Sequence, residues 1–575
     1  MMKLSQGTGK AFTANGEKWL NFKGFAGSNP VSKAPCKERC LQQYLISTQK
    51  WLNQKHLGGI PLRMPQCKEK RHMQQTIYRK NTKKRCREIK EVITMSFVDM
   101  IKNTQSYTTT LNGAVAYNNT GDALLDLFAS AGALRNRKAD DIVSLFAKAM
   151  VQDKTLATRL AFYTRDVREG LGERRSGRLM LAYLAKYYPN IFAKNAALIA
   201  EYGRYDDLVY LMDYAPETIV PLLYEQLIKD IQNKKSGESI SLLAKWLPSI
   251  NASNADTIKK GKYLAKCFGM SEKQYRKTLS DLRAYLDVVE VKMSNDRFDQ
   301  IDYGSVPSKA MNNYRKAFLR QDEERFNAYL AQVAKGKANI NASVLYPYDI
   351  VEKYLNGGAY DEVLEAQWKA LPDYVDGDKR FLVMADVSGS MYGRPMATSV
   401  SLAIYFAQRN KGPFANTFMT FSSRPELVTL KGENLFEQVR YVSNADWAMN
   451  TNVEAAFDLI LKTAVKNRVG QDELPTSIVI ISDMEFDRCS NPDWTFYDTM
   501  KAKYQSFGYE LPNIVFWNVN SIKNTYQASF DRKGVQLASG SSATVFASLT
   551  EGKDMTPYDY MCSVLNAKRY APISV

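Results

Sequence analysis

The chain has 575 residues, so we expect about two to four domains rather than one core. Hydrophobic residues make up 45% and charged residues 24% of the sequence, which excludes the disordered and fibrous classes. The longest apolar runs fall far short of the roughly 18 residues that a transmembrane helix needs. We therefore expect no membrane partner.

The formal net charge of +18 is concentrated at the amino-terminal end. Residues 1–94 hold 20 Lys and Arg against 5 Glu and no Asp, a net charge of +15, which leaves +3 for residues 95–575. The total charge is therefore no argument for nucleic-acid binding by the rest of the chain. Only three of the seven cysteines follow residue 94, and no secretory leader pattern is present, which favours a reducing, cytoplasmic location.

Residues 1–94 are predicted to be a basic leader that is disordered or not part of the native protein, with Met95 as the true start. One alternative is a basic arm that binds nucleic acid. Another is a zinc site, although no pair of ligands has the tight C-x-x-C spacing of convincing zinc sites. The residues of that alternative are Cys36, Cys40, His56, Cys67, His72 and Cys86.

Residues 95–371 are predicted to form a helical-repeat domain of the HEAT-like kind. From residue 122 to residue 371 apolar residues recur at spacings of three and four, which is the period of amphipathic helices. Turn signals such as GLGERRSG (170–177) and Pro189 divide this region into roughly a dozen helices. No strict repeat of the tetratricopeptide or ankyrin kind is present.

An arginine-rich turn interrupts this region, in the sequence FYTRDVREGLGERRSGR at 162–178. Its five arginines, beside two aromatic residues, could bind phosphates and stack on bases. The alternative is a solvated helix pair whose arginines are neutralised by Asp166, Glu169 and Glu173 on neighbouring turns. The turn lacks the spacing of a phosphate-binding loop.

Four stretches carry a family resemblance: FYTRDVREGLGERR, EYGRYDDLVYLM (201–212), LLAKWLPS (242–249) and YRKTLSDLRAYLDVVE (275–290). They resemble the TROVE module of the Ro autoantigen family, more closely a plant and phage branch of unassigned function. The resemblance implies a ring of helical repeats that binds small non-coding RNA or the single-stranded ends of misfolded RNA, as a ribonucleoprotein. It places RNA contacts on Arg165, Arg168, Arg174, Arg175, Arg178, Arg204 and Lys245.

Residues 372–575 are predicted to form a doubly wound α/β domain. Short apolar runs alternate there with helical stretches, which is typical of parallel sheets whose faces are both covered. The predicted strands are 381–387, 418–422, 477–482 and 513–519, and the predicted helices are 396–409, 452–466, 496–505 and 556–568. Ligands of such sheets lie beyond the carboxyl ends of the strands.

Polar residues follow two of these strands. Asp386, Ser388 and Ser390 come after the first, and Asp483 after SIVIIS at 477–482. Carboxylate and hydroxyl oxygens suit Mg²⁺ or Mn²⁺. Together with Thr451 before a predicted helix, these residues resemble the metal-ion-dependent adhesion site of von Willebrand factor A domains, a Rossmann-like fold. The resemblance implies that the metal keeps one position open for an acidic side chain of a partner.

The alternative for Asp386 and Ser388 is helix capping. Residues 95–575 contain no histidine, which removes the commonest general base, and we predict that the protein is not an enzyme. The predicted function is a Ro-type RNA-binding scaffold with a Mg²⁺-dependent adhesion site. The alternative is a metal-dependent protein–protein adhesion or assembly factor without RNA, favoured if the arginines are dispersed into salt bridges. The sequence does not indicate an oligomeric state.

Overall fold

The structure, a computed structural model, describes residues 107–375, 380–420, 424–444, 451–549 and 554–575. Segment 1–94, with the zinc and nucleic-acid-arm interpretations placed on it, lies outside the described residues. No helix of the described part is long and apolar enough to cross a membrane.

A short antiparallel hairpin that the sequence analysis did not predict comes first. Its strands are β1 (Tyr107–Thr109) and β2 (Val115–Tyr117). Three isolated backbone bridges join this hairpin to the carboxy-terminal half of the chain: Gly113 to Asp487, Val115 to Thr495 and Tyr117 to Tyr526. The hairpin therefore packs against loops that connect the strands and helices of the sheet.

Sixteen α-helices follow in the described residues up to Lys369. They are α1 (Ala123–Phe128), α2 (Ala139–Gln152), α3 (Lys154–Arg165), α4 (Arg174–Tyr187), α5 (Pro189–Asn195), α6 (Ile199–Tyr202), α7 (Tyr205–Leu211), α8 (Pro216–Lys235), α9 (Leu243–Trp246), α10 (Ala255–Cys267), α11 (Glu272–Leu286), α12 (Val289–Ser294), α13 (Ser308–Gln321), α14 (Glu323–Ala334), α15 (Pro347–Leu355) and α16 (Glu362–Lys369). Polar residues begin several of them. Asp122 accepts a hydrogen bond from the backbone N–H of Leu125 at the start of α1, which satisfies a donor that the helix leaves free.

A six-stranded sheet is built from the second half of the chain. Its other strands are β3 (Phe381–Ala385), β4 (Thr417–Thr420), β5 (Leu427–Thr429), β6 (Ser477–Ser482), β7 (Asn513–Asn518) and β8 (Val535–Ser539), in the spatial order β5-β4-β3-β6-β7-β8. All neighbours are parallel except β4 and β5. Every residue of β3, β6, β7 and β8 is buried, as expected of parallel strands covered on both faces.

The helices of this half are α17 (Arg394–Arg409), α18 (Leu435–Ser443), α19 (Val453–Asn467), α20 (Phe496–Ser506), α21 (Val545–Ser548) and α22 (Pro557–Leu565). The protein is thus a helical array followed by a mostly parallel α/β sheet, as the sequence predicts at that level. One hydrophobic core cluster of the described residues runs from Ala114 to Ile573, so most of the helices and the sheet share it. A second cluster packs residues between Val289 and Val363.

The helical part and the sheet approach closely at a pair of glycines, Gly132 and Gly540. A Cβ atom on Gly132 would lie 2.4 Å from Cα of Gly540, just after β8. The backbone N–H of Gly132 donates to the Ser539 hydroxyl at 3.0 Å, and that hydroxyl donates to the carbonyl oxygen of Phe128 at 3.0 Å. Only glycine at position 132 allows this contact.

We expect Gly132→Ala to lower the free energy of unfolding by about 1–3 kcal/mol, because the added methyl group must push two backbones apart. Urea or thermal unfolding of the full chain measures the loss. Gly304→Ala is the matched control, since a Cβ there would meet its nearest atom at 3.5 Å, an ordinary contact. Equal stability of the two variants would contradict this close approach.

Asp126 in α1 gives a pH prediction. Its carboxylate accepts a hydrogen bond from the backbone N–H of Thr120 at 2.6 Å, but burial outweighs this bond and raises the pKa of Asp126 to about 6. Because the pKa is raised, the folded state binds the proton more tightly than the unfolded chain does. We expect a contribution to stability that is present below about pH 4 and is lost as the pH rises to about 6.

The check is the free energy of unfolding measured between pH 4 and pH 7 for the protein and for Asp126→Asn. Asparagine keeps the acceptor oxygen for Thr120 and does not titrate, so this variant should lose less stability over that window. Asp140→Asn, at an exposed position, serves as the control. Identical pH profiles for the protein and Asp126→Asn would show the prediction to be wrong.

Candidate metal site

The candidate site lies where the order of the strands reverses. β3 continues to β4 on one side, and the later strand β6 pairs with β3 on the other. Because β3 and β6 are parallel neighbours, the residues that follow them come to the same edge of the sheet. Asp386 follows β3, and Asp483 follows β6. This is the position at which open α/β sheets bind ligands.

Asp386 has no exposed surface. One of its carboxylate oxygens accepts a hydrogen bond from the backbone N–H of Ser388 at 2.9 Å, and the other accepts one from the Ser482 hydroxyl at 2.5 Å. Burial, and then the neighbouring charge of Asp483, raise the pKa of Asp386 to about 6. The bond from Ser388 matches the helix-cap alternative in part, but a cap does not require a second buried carboxylate beside the first.

Asp483 is 1% exposed and is held less completely. Its Oδ1 accepts a hydrogen bond from the backbone N–H of Glu485 at 3.1 Å, whereas its Oδ2 is buried and has no hydrogen-bond partner among the described residues. Burial raises the pKa of Asp483, and the nearby Ser390 hydroxyl opposes this shift. A buried carboxylate oxygen without a partner costs free energy, which a proton, a water molecule or a cation would each relieve.

The two serines bring the hydroxyl oxygens of the site together. The Oγ atoms of Ser388 and Ser390 lie 3.2 Å apart. Ser388 is buried, whereas Ser390 is exposed, so the site is reached from solvent on the Ser390 side. The structure therefore brings together four of the five predicted metal ligands: Asp386, Ser388, Ser390 and Asp483.

Thr451, the fifth predicted ligand, makes different contacts. Its hydroxyl lies 2.9 Å from a carboxylate oxygen of Asp487 and 3.0 Å from the carbonyl oxygen of Glu485, and it accepts a hydrogen bond from the side-chain amide of Asn112 at 2.8 Å. None of its hydrogen bonds goes to the other four predicted ligands. The structure thus places Thr451 in the link between the sheet and the hairpin.

Glu485 belongs to the same link. Met484 has a positive φ of 69°, which turns the chain sharply after Asp483. The buried Glu485 carboxylate accepts hydrogen bonds from the backbone N–H of Leu111 and, at 3.1 Å, from the Thr525 hydroxyl. Burial raises the pKa of Glu485. The hydrogen bonds of its carboxylate come from Leu111 and Thr525, and none comes from the predicted metal ligands.

The hairpin contributes residues that sequence reasoning missed. Besides Asn112, the Thr110 hydroxyl donates to the carbonyl oxygen of Phe486 at 2.7 Å. These residues precede the loop that they contact by more than 300 positions. Neither periodicity nor motif spacing reports such a long-range pairing.

In the described residues no group of three or more His, Cys, Asp or Glu side chains could hold a metal. A cation bound between Asp386 and Asp483 would therefore also need the serine hydroxyls as ligands.

The arginines predicted to bind RNA all have partners within the chain, although Arg168, Arg174 and Arg175 are exposed. Arg165 is 2% exposed and forms an ion pair with Asp207 at 2.7 Å, so it cannot contact RNA in this structure. Arg178 pairs with Asp206 and with Asp207, at 2.9 and 2.6 Å. Arg174 and Arg204 both pair with Asp206, at 2.5 and 3.0 Å.

The remaining three predicted RNA contacts also have partners. Arg168 donates to the carbonyl oxygen of Glu201, and Arg175 donates to that of Arg137 at 2.7 Å. Lys245 forms an ion pair with Glu290 at 3.2 Å. The predicted RNA contacts are thus dispersed into salt bridges and contacts with carbonyl oxygens. This arrangement favours the alternative function, an adhesion or assembly factor without RNA.

Comparison with known proteins corrects the family resemblance. A family model described as a domain of unknown function (DUF2828) matches residues 110–217 and 254–377, and a second domain of unknown function (DUF7788) matches residues 381–563. The assignments to the TROVE module and to von Willebrand factor A domains are therefore wrong. An arginine-rich turn and an Asp-x-Ser-x-Ser loop serve helix pairing and strand-end chemistry in many folds, so they do not identify a family.

A full-length relative is the uncharacterized protein L728 of Acanthamoeba polyphaga mimivirus. It is 30% identical over 509 residues, which cover 81% of this chain and 88% of the viral protein. The chain therefore belongs to the same family as this mimivirus protein, with a DUF2828 domain followed by a DUF7788 domain.

Proposed function

We propose that this protein is a divalent-cation-dependent binding protein, which holds Mg²⁺ or Mn²⁺ at the carboxyl ends of β3 and β6 and captures a carboxylate of an acidic protein partner. The supporting observation is the pair of buried carboxylates, Asp386 and Asp483: the charge of Asp483 raises the pKa of Asp386, and neither carboxylate forms an ion pair with a described residue. Two buried negative charges without compensation are unfavourable, and a divalent cation would neutralise both.

The donor set fits a hard cation. Two carboxylates and the hydroxyls of Ser388 and Ser390 supply four oxygen atoms, and Asp483 Oδ2 lacks a partner that coordination would provide. Mg²⁺ prefers octahedral coordination by oxygen and usually keeps several waters. Protein ligands would therefore fill part of its shell, and the remaining positions would be open to an oxygen from outside.

The surface beside the site suits a protein partner. Ser390 is exposed, and Tyr392, two residues later, is 88% exposed. Exposed tyrosines are enriched where proteins bind one another, because the ring supplies apolar area and the hydroxyl a hydrogen bond. A carboxylate is the partner group that best completes the shell of a hard cation. RNA capture is not part of this proposal, because the arginines assigned to it have partners within the chain.

Thermal unfolding of the full chain with and without Mg²⁺ tests the cation site. At about 100 times its dissociation constant, a cation that binds only the folded state stabilises it by about 2.7 kcal/mol. We expect Mg²⁺ to raise the melting temperature, and Asp386→Ala and Asp483→Ala each to abolish the rise. Asp493→Ala, at an exposed position, is the control and should retain it. An unchanged rise in both site variants would refute the proposed site.

A second measurement tests capture of an acidic partner, with a fluorescent polyglutamate peptide as the probe and anisotropy as the readout. Mg²⁺ should strengthen binding relative to EDTA, and Asp386→Ala should remove that gain. Attraction to the basic segment 1–94 is screened by salt, so Mg²⁺ would weaken it, the opposite of the expected change. If Mg²⁺ raises the melting temperature but does not strengthen peptide binding, the cation site is supported and the acidic partner is contradicted.

A further inference from the structure

We infer that a cavity beside α11, lined by both polar and apolar residues, binds a small phosphomonoester through its phosphate group, at a site separate from the candidate metal site. The cavity has a volume of about 400 Å³ and is lined by α11, by the loop at 249–251 and by residues of and after α12. Its lining includes Arg276 and Arg283 and no acidic residue.

Arg283 is a fixed cation in the wall of this cavity. It donates to the carbonyl oxygens of Ala244 and Leu247, both at 2.8 Å, and to the Ser249 hydroxyl at 2.7 Å. These partners are neutral, and no carboxylate among the described residues pairs with it. They hold the guanidinium in one orientation without cancelling its charge. Arg165, by contrast, is held by the carboxylate of Asp207.

Arg276 supplies a second cation on the same side of α11. It precedes Arg283 by seven residues, which is two turns, and Ser280 lies between them on the same helix face. Arg276 is exposed and forms no ion pair with any described residue. Arg276, Ser280 and Arg283 all line the cavity, and Arg283 keeps two of its five N–H donors after its three internal hydrogen bonds.

The acidic residues nearest in sequence do not neutralise this wall. Glu272, one turn before Arg276, pairs with Lys262 at 3.3 Å. Asp281 pairs with Lys234, Asp287 pairs with Lys292 at 2.9 Å, and Glu290 pairs with Lys245 at 3.2 Å. Each of these carboxylates already has a lysine partner, and none lines the cavity. The positive potential of the two arginines is thus left for a ligand.

The chemistry of the lining selects a phosphate. Arginine presents a planar fork of donors that matches phosphate oxygens in a bidentate way, and neutral side chains such as Asn251 and Asn295 add donors without adding negative charge. A cavity of about 400 Å³ lies within the usual range for small-molecule sites and exceeds the size of inorganic phosphate. The remaining space would hold the organic part of a phosphomonoester.

Isothermal titration of the full chain tests this site, with inorganic phosphate and adenosine monophosphate as separate probes, in EDTA and at constant ionic strength. EDTA removes any contribution from the metal site, so the two proposals fail independently. We expect saturable binding of adenosine monophosphate that Arg276→Gln weakens at least tenfold. Arg276 is exposed, so this variant should fold normally.

Two further variants complete the test. Arg320→Gln removes an exposed arginine from α13 and should leave binding unchanged. Arg283→Lys keeps the charge but loses the planar fork, and it should also weaken binding. Equal binding by Arg276→Gln and the unchanged protein would overturn the inference, because it would assign the heat to the basic segment 1–94. Tighter binding of free phosphate than of the nucleotide would overturn the choice of a phosphomonoester.

Discussion

Asp207→Ala is expected to lower the free energy of unfolding by about 3–5 kcal/mol, because it leaves a buried positive charge without a partner. Asp207 is fully buried, and Arg165, its ion-pair partner, is 2% exposed. The Asp207 carboxylate also accepts a hydrogen bond from Arg178 at 2.6 Å and one from the backbone N–H of Arg204 at 2.9 Å. One substitution therefore removes an ion pair, a second charged contact and the cap of α7.

The surroundings leave little room for compensation. A Cβ atom on Gly203 would lie 2.3 Å from Oδ2 of Asp207, and one on Gly177 would lie 2.7 Å from Cβ of Arg165. The backbone thus encloses the pair from two sides. Water or a rearranged side chain cannot easily take the place of the lost carboxylate, which is why the loss should lie in the range for buried rather than surface pairs.

Urea unfolding at neutral pH measures this loss. Asp213→Ala is the control, because Asp213 is half exposed and pairs with Lys260 at the surface, where a salt bridge contributes at most about 1 kcal/mol. Asp207→Asn keeps an acceptor oxygen and should fall between the two. If Asp207→Ala lowers the free energy of unfolding no more than Asp213→Ala does, the contacts of Asp207 with Arg165 and Arg178 do not stabilise the fold.

The strands show how far sequence patterns reach. SIVIIS at 477–482 was predicted as a strand and forms β6 with the same bounds, because a buried parallel strand is a continuous apolar run. β5 and β8 were not predicted. β5 is three residues long, and β8 carries glutamine and serine within VQLAS, so neither has an apolar run that stands out. β8 is nevertheless fully buried by the neighbouring strand and helices, whereas β5 buries only Val428.

The charged residues show where local patterns fail. In the arginine-rich turn, sequence reasoning offered Asp166, Glu169 and Glu173 as partners on neighbouring turns. Instead Asp166 pairs with Arg569 at 2.9 Å, about 400 residues later, and Glu173 pairs with Arg135. Spacing within a motif predicts neighbours on one element, whereas these partners are chosen by tertiary packing.

The pairing of Asp386 with Asp483 could be predicted because it depends only on strand order. Two parallel strands that are neighbours bring the residues after their carboxyl ends together, whatever the rest of the fold does. The unpartnered Oδ2 of Asp483 could not be predicted, since it depends on which donors the loop after β6 turns towards the carboxylate.

Asp386→Asn is expected to have effects of opposite sign with and without a divalent cation. In EDTA at pH 7.5 the variant should be more stable than the unchanged protein, because it removes one of two buried, mutually repelling charges. Burial and Asp483 raise the pKa of Asp386 from 3.8 to about 6, and each unit corresponds to about 1.4 kcal/mol, so the gain should approach roughly 2–3 kcal/mol. Asparagine retains an acceptor oxygen for the Ser388 N–H, so the loop keeps its shape.

In saturating Mg²⁺ the order should reverse, since only the unchanged protein gains the stability that cation binding provides. Thermal unfolding of both proteins in EDTA and in Mg²⁺ gives the four melting temperatures required. Ser390→Ala removes a neutral ligand and no charge, and it should reduce the Mg²⁺ effect without the gain in EDTA. A residue with only a packing role would shift both conditions in the same direction, so parallel shifts for Asp386→Asn would contradict a cation site. A reversed order of melting temperatures would show that the two buried carboxylates destabilise the protein without the ion and stabilise it when the ion binds.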